Sequence, residues 1–253
     1  MNETDPSAQR VDPQLYARSF ADVYDEWYHD LDDPAVLVAA FREHCALGSL
    51  IVELGSGTGR LATPLERAGF QVVALDASIE MLAVARPGPH PVAGDMADLP
   101  ITDNGADAAL VAYNTFFNLV SRARQQHCFH EIARMLRPNG VLAIEAFVAG
   151  SGDSNDFGIT IRSHPSQPQA RLAIVTGPDS TDSDVIIGSH IELAATTTCR
   201  PWRLTYQSPR ELDACALAAG LVLRTRSSDW AGTPFAPAAH RHVSWYEKAW
   251  PTD

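Results

Sequence analysis

Lysine is all but missing from this chain. Of 19 basic residues Lys248 alone is a lysine, and 31 acidic residues leave a net charge of −12. Such a chain has no general attraction for phosphate backbones, which disfavours work on nucleic acid. No apolar window approaches the roughly 18 to 20 residues that span a bilayer, and Met1 to Val11 is polar, without the hydrophobic segment of a signal peptide. A cytoplasmic protein with no membrane partner is expected. Cysteine is scarce: Cys45, Cys128, Cys199 and Cys215 stand apart, with no paired metal spacing. They read as reduced, mostly buried thiols, and no metal is expected. Internal repeats and low-complexity tracts are absent too.

What is present suits one α/β domain with an insertion: 253 residues, 45% apolar and 20% charged. The organising stretch is Leu50-Ile51-Val52-Glu53-Leu54-Gly55-Ser56-Gly57-Thr58-Gly59-Arg60. Its apolar start has the length and branched content of a buried parallel strand. Three alternating glycines follow, then Leu61, Ala62, Leu65 and Ala68 at helical spacing up to Gly69. Strand, glycine turn and helix leave bare backbone for a ligand. A nicotinamide fingerprint would need glycine where Arg60 stands.

With Glu53, Gly55, Gly57 and Gly59, the run resembles motif I of the class I S-adenosylmethionine (SAM) dependent methyltransferases, Glu/Asp-x-Gly-x-Gly-x-Gly. Two further stretches fit that family. Gln71 to Asp76 is an apolar strand ending in a carboxylate, the place where an acid can accept both ribose hydroxyls. Val92-Ala93-Gly94-Asp95-Met96 is similar to the family's third strand end, where an Asp meets the adenine amino group. The resemblance implies a Rossmann-like α/β sheet of seven strands, the last antiparallel, with N-terminal lid helices and an antiparallel β extension. It implies SAM as methyl donor and S-adenosylhomocysteine as product.

Along the chain, residues 1–12 read as a disordered tail and 13–46 as lid helices. The SAM-binding core spans 47–148, a β-rich extension 149–207, and the C-terminal part of the core sheet 208–253. Leu15, Tyr16, Phe20, Val23, Tyr24, Trp27, Tyr28 and Leu31 have helical spacing and heavy aromatic weight. They suit either an amphipathic packing helix or, by resemblance, a lid whose tyrosines close over SAM and acceptor. A helix runs from Pro34 to about Cys45, and another from Ser78 to Arg86 with Ser78 as cap. Ala106 to Ala112 is strand four, followed by Tyr113-Asn114-Thr115-Phe116-Phe117-Asn118-Leu119 at the switch point of the sheet. Helix Arg122 to Leu136, a turn Arg137 to Gly140 and strand Val141 to Phe147 come next. Short strands at 158–162, 171–176, 185–194 and 200–206 form the extension, serving acceptor recognition, homodimer contact, or both. Ser208 and Glu211 make a capping box for the last helix.

The resemblance is nearest to actinobacterial small-molecule and peptide N-methyltransferases: amino-sugar N,N-dimethyltransferases and the terminal-amine enzymes of linaridins and daptides. It assigns cofactor contacts to Tyr16, Glu53, Gly55, Ser56, Gly57, Gly59, Arg60, Asp76, Ala77, Met81, Asp95, Met96 and Tyr113. Acceptor-side roles fall to Tyr24, Tyr28, Asn114 and His242, with His29 and His240 as further candidates. Transfer from SAM is an in-line displacement that rewards alignment. A neutral amine needs no base, whereas a hydroxyl usually does. The expectation is methylation of an amine on a small natural product, amino sugar or peptide terminus. O-methylation, or a SAM-fold binding protein without transfer, stands as the alternative.

Overall fold

The computed structural model describes residues 19–28, 33–85, 87–149, 158–236 and 238–249. Its centre is β1 (Leu50–Leu54), where four of five residues are buried. That burial is why the sequence there is a continuous apolar run rather than an alternating one. β1 pairs in parallel with β2 (Gln71–Asp76) and β4 (Ala106–Val111). β3 (His90–Ala93) extends the sheet beyond β2, and β5 (Leu136–Phe147) beyond β4. The antiparallel strands β11 (Arg241–Lys248) and β10 (Leu221–Ser227) complete the order β10-β11-β5-β4-β1-β2-β3. Neighbours of β1 lead off in opposite directions, so its carboxyl end opens at a topological switch point.

Helices cover both faces. On one, α2 (Pro34–His44) and α3 (Ala62–Arg67) bury Leu37, Phe41 and Leu65 against Ile51, Val72 and Trp245. On the other, α5 (Arg122–Met135) and α6 (Pro209–Ala218) bury Phe129, Ile132 and Leu212 against Leu54, Leu142 and Tyr246. The short α4 (Ile79–Ala83) starts at the Ser78 hydroxyl, which accepts from the Met81 amide at 3.1 Å. The capping box at Ser208 and Glu211 forms in full.

The largest rearrangement relative to the sequence reading is at the end of α5. α5 ends at Met135, and β5 already pairs at Leu136, opposite Ala106. The register then jumps to Ala108 opposite Val141, so the Arg137 to Gly140 turn is looped out of the strand as a bulge with Asn139 at φ 60°. Asn tolerates that left-handed backbone, so the turn chemistry was legible while its place within the strand was not.

A second sheet holds β6 (Gly158–Ser163), β7 (Arg171–Pro178), β8 (Val185–Leu193) and β9 (Thr197–Thr205), all antiparallel. It faces α1 (Tyr24–Trp27), with Phe20 and Trp27 buried in a cluster with Leu172. The expected tail and the first lid turns, Tyr16 included, lie outside the described residues, as does His29. Among those described, no helix is long and apolar enough to cross a membrane.

Candidate active site

The turn after β1 is shaped by left-handed backbone at Gly55 (φ 73°), Gly57 (φ 55°) and Gly59 (φ 74°). The amides of Gly55 and Ser56 donate to the Leu75 carbonyl at 2.7 and 2.9 Å, fastening the turn to β2. A Cβ on Gly55 would sit 2.1 Å from Thr115 Cγ2, because the loop after β4 presses against the turn there. A Cβ on Gly57 would meet nothing within 4 Å, so that backbone lines open space. Asp76 closes β2 and accepts from the Gly57 and Ser78 amides, both at 2.8 Å. Burial raises its carboxyl above the usual range, against the pull of those amides. Ala77 follows it directly.

Beneath the turn lies Glu53, 3% exposed, with Oε2 lacking a partner among the described residues. Burial pushes its carboxyl up to about 8, opposed by Arg60 and the Ala62 amide. Arg60 also lies 5.7 Å from the Tyr113 ring centre. Met96 Cε approaches the Gly55 position within 3.6 Å. Met81 is buried in the cluster of Phe20 and Trp27. Asp95 is engaged by its neighbours: one carboxylate oxygen accepts from the Ala97 amide at 2.9 Å and the other holds Arg124.

The N-terminal segment is tied to both sheets. Thr58 of the glycine turn donates its hydroxyl to Asp25 at 2.6 Å. Arg162 donates to the Trp27 carbonyl at 2.8 Å, and Arg200 grips both carboxylate oxygens of Asp22 at 2.9 Å as well as the Ser19 carbonyl. Ser166 donates to Glu26.

Under this segment is a cavity of about 430 Å³. Tyr24 and Tyr28 form one wall, Tyr113, Asn114, Thr115 and Asn118 the floor, and Phe147 an end. The opposite wall is the inner face of the second sheet: Ile174, Thr176, Ile186, His190, Trp202 and Leu204. Tyr113 (φ 54°) and Asn114 (φ 66°) are both left-handed, a strained pair that functional sites accumulate. The Asn114 carboxamide oxygen accepts from the Phe147 amide at 2.6 Å, and Glu145 accepts from the Tyr113 amide at 3.2 Å. Burial raises the Tyr24 hydroxyl far above its ordinary value, so it stays protonated.

Tyr24, Tyr28, Asn114 and Tyr113 are thus brought together, and Glu53, Arg60 and Asp76 gather around the glycine turn. His242 is not brought to them. It is fully buried on β11 opposite Ala146, its Nδ1 2.7 Å from Ser244 Oγ, and burial lowers its pKa to about 4. Strand alternation put its side chain on the α6 face of the sheet, with Tyr246. His240 is exposed, and its carbonyl accepts from the Val148 amide. Sequence reasoning missed His190, Trp202, Thr176 and Glu145. The alternation of the extension's strands was the one signal that could have found the first three.

Against known proteins, the Methyltransferase domain family matches residues 52–144. The cypemycin N-terminal methyltransferase of a Streptomyces species is 27% identical over 235 residues, covering 88% of this chain and 94% of that protein. An uncharacterized methyltransferase of Mycobacterium tuberculosis (strain CDC 1551 / Oshkosh) is 42% identical over 97 residues, 37% of this chain and 38% of its own. Among solved structures, the CcbJ methyltransferase from Streptomyces caelestis superposes with a TM-score of 0.83 at 29% identity, over 94% of this chain and 100% of that one.

Proposed function

The chain being a SAM-dependent methyltransferase with a class I Rossmann-like fold, we propose that it methylates a neutral amine on a small molecule or a peptide terminus. The observation that carries this reading is the cavity: its described lining is aromatic, aliphatic, hydroxyl and amide, without an ionised side chain, and it meets the glycine turn at Tyr113 to Thr115. Similarity to an N-terminal methyltransferase over nearly its whole length supports an amine acceptor.

The cradle suits the donor. Open backbone at Gly57 and the unpartnered buried Glu53 Oε2 leave room and a polar group for an amino-acid moiety. In this reading Arg60 holds the donor's carboxylate and Glu53 its ammonium, with Gly55, Ser56 and Gly59 shaping the approach. Asp76 takes the ribose hydroxyls on the lone-pair positions its amide partners leave. Ala77, Met81, Asp95 and Met96 border the adenine, and Tyr16 belongs to the lid. When bound, SAM supplies an electrophilic methyl on sulfonium sulfur.

The chain's own part is alignment and exclusion of water. The faces of Tyr24, Tyr28 and Tyr113 favour a cationic centre beside them. A desolvated cavity also lowers an amine's tendency to protonate, which keeps its lone pair available. Asn114, fixed by its bond to Phe147, orients the acceptor. Residues 47–148 with 208–253 then carry the donor turn and the floor of the acceptor cavity, and 149–207 its opposite wall.

Methyl-labelled SAM, offered to peptides and amino sugars with free amines and to the same compounds with amines blocked, tests the proposal by mass. Label on free amines alone is expected. Transfer that survives blocking would move the reading to oxygen, and binding of S-adenosylhomocysteine without any transfer would leave a binding protein.

A further inference from the structure

His190 lies in the middle of β8, 162 residues from the tyrosine it meets, and both of its ring nitrogens are engaged. The indole Nε1 of Trp202 is 3.0 Å from Nδ1 and can only donate. Nδ1 therefore presents its lone pair, and the neutral ring carries its proton on Nε2. That nitrogen is 3.1 Å from Tyr28 Oη, so the imidazole donates and the phenol oxygen accepts. The ring is neutral: burial, with Arg162 nearby, lowers its pKa to about 4.

The arrangement starts one residue pair earlier. Gly188 stands opposite Trp202 in the β8–β9 ladder, and a Cβ there would lie 2.3 to 2.6 Å from three indole atoms. Glycine at 188 lets the indole lie across the strand and point its N–H at His190. Phe20 packs edge-on against the imidazole with centroids 5.0 Å apart, and Trp27 stacks on it at 6.0 Å.

We infer that His190 is a positioning residue for Tyr28, its tautomer set by Trp202 in the space Gly188 leaves, and that it does not act as a base. An imidazole that donates to Tyr28 cannot take that phenol's proton, and the lone pair it does have is occupied by the indole. The chain Gly188, Trp202, His190, Tyr28 fixes the orientation of one wall tyrosine against the acceptor. It also suits the site to nucleophiles that arrive neutral with a lone pair, which is the chemistry of an amine. This inference rests on the amine-methylation reading, but its central claim has a readout that does not need turnover.

The readout is the nitrogen spectrum of isotope-labelled histidine in the full chain, with His190→Gln identifying the signal. Protonation on Nε2 is expected near neutral pH, and Trp202→Phe should give a mixture of tautomers. An imidazolium, or a proton on Nδ1 in the wild type, would overturn the inference whatever the activity. With labelled SAM and a peptide bearing a free terminal amine, Trp202→Phe and Gly188→Ala should each lower kcat about tenfold, the worth of one hydrogen bond, with SAM affinity within twofold. His190→Gln offers a carbonyl to the indole and an amide N–H to the phenol, and should keep kcat within about threefold, whereas His190→Phe should fall with Trp202→Phe. A Gln variant as impaired as the Phe variant would mean that the imidazole's own acid–base chemistry is used. Failure of every acceptor to take label would count against the amine reading alone.

Discussion

The buried acid at the end of β1 offers the sharpest test of how the donor is held. Glu53 has a carboxyl that burial raises to about 8, with Oε2 unpaired. At pH 7 such a group is roughly 90% protonated, one unit below its midpoint. If the donor's ammonium seats against it, binding must draw out that proton, so about 0.9 proton is released per ligand and the apparent affinity at pH 7 is about tenfold weaker than that of the ionised site. Calorimetric titration with S-adenosylhomocysteine at pH 7, in two buffers of different ionisation enthalpy, counts the protons. Glu53→Gln keeps the shape and cannot ionise, so only the ligand's own proton exchange should remain. Equal release from wild type and variant would refute the reasoning. The ligand-free protein gives the linked result. Because the folded pKa is raised, the stability contributed by Glu53 is fully present below about 4.5 and is lost as pH rises through about 8. The Gln variant should therefore gain on the wild type across that window, by at most roughly 1.4 kcal/mol per pH unit.

Gly55→Ala meets Thr115 Cγ2 at 2.1 Å on a left-handed backbone, and should cost about 1 to 3 kcal/mol in thermal or denaturant unfolding; adding Thr115→Ser removes the clash but not the strain, so rescue should be partial. Arg200→Ala removes the clasp on Asp22 and Ser19, and amide exchange over residues 19–28 should quicken while β1 and β4 stay protected; unchanged exchange would mean the clasp contributes nothing. His242 has a depressed folded pKa, so its contribution to stability is present above about 6.5 and lost as pH falls to about 4. His242→Gln should flatten the acid side of the stability curve by up to one proton and leave kcat at pH 7.5 unchanged, and a hundredfold loss of kcat would return the residue to the active site.

How much of this was legible depended on the range of the interactions. The glycine turn, β1 and β2 announce themselves because apolar run, turn and helix are local events. The four extension strands were also legible, since each is a short β-rich run bounded by turn residues. His242 read as an acceptor-side candidate because sequence records that a residue is polar, not which face of β11 it takes; its neighbours Val243 and Trp245 belong to one core and Tyr246 to the other. Alternation along β8 could place His190 on the inner face of the extension, but not name what it meets. Its meaning lies in Trp202 across one ladder and Tyr28 from the far end of the chain, and no periodicity encodes a partner 162 residues away.

The cavity's two halves are built on different sheets, and the half proposed to face the acceptor is written in alternate residues of antiparallel strands. Ile174, Thr176, Ile186 and Leu204 face inward, while Val175, Ile187 and Arg203 between them face out. Such a wall can be rewritten one letter in two without disturbing its own outer face or the glycine turn. An enzyme made this way is free to drift among acceptors while its donor chemistry stays fixed. Libraries restricted to those four positions are the economical place to look for new ones.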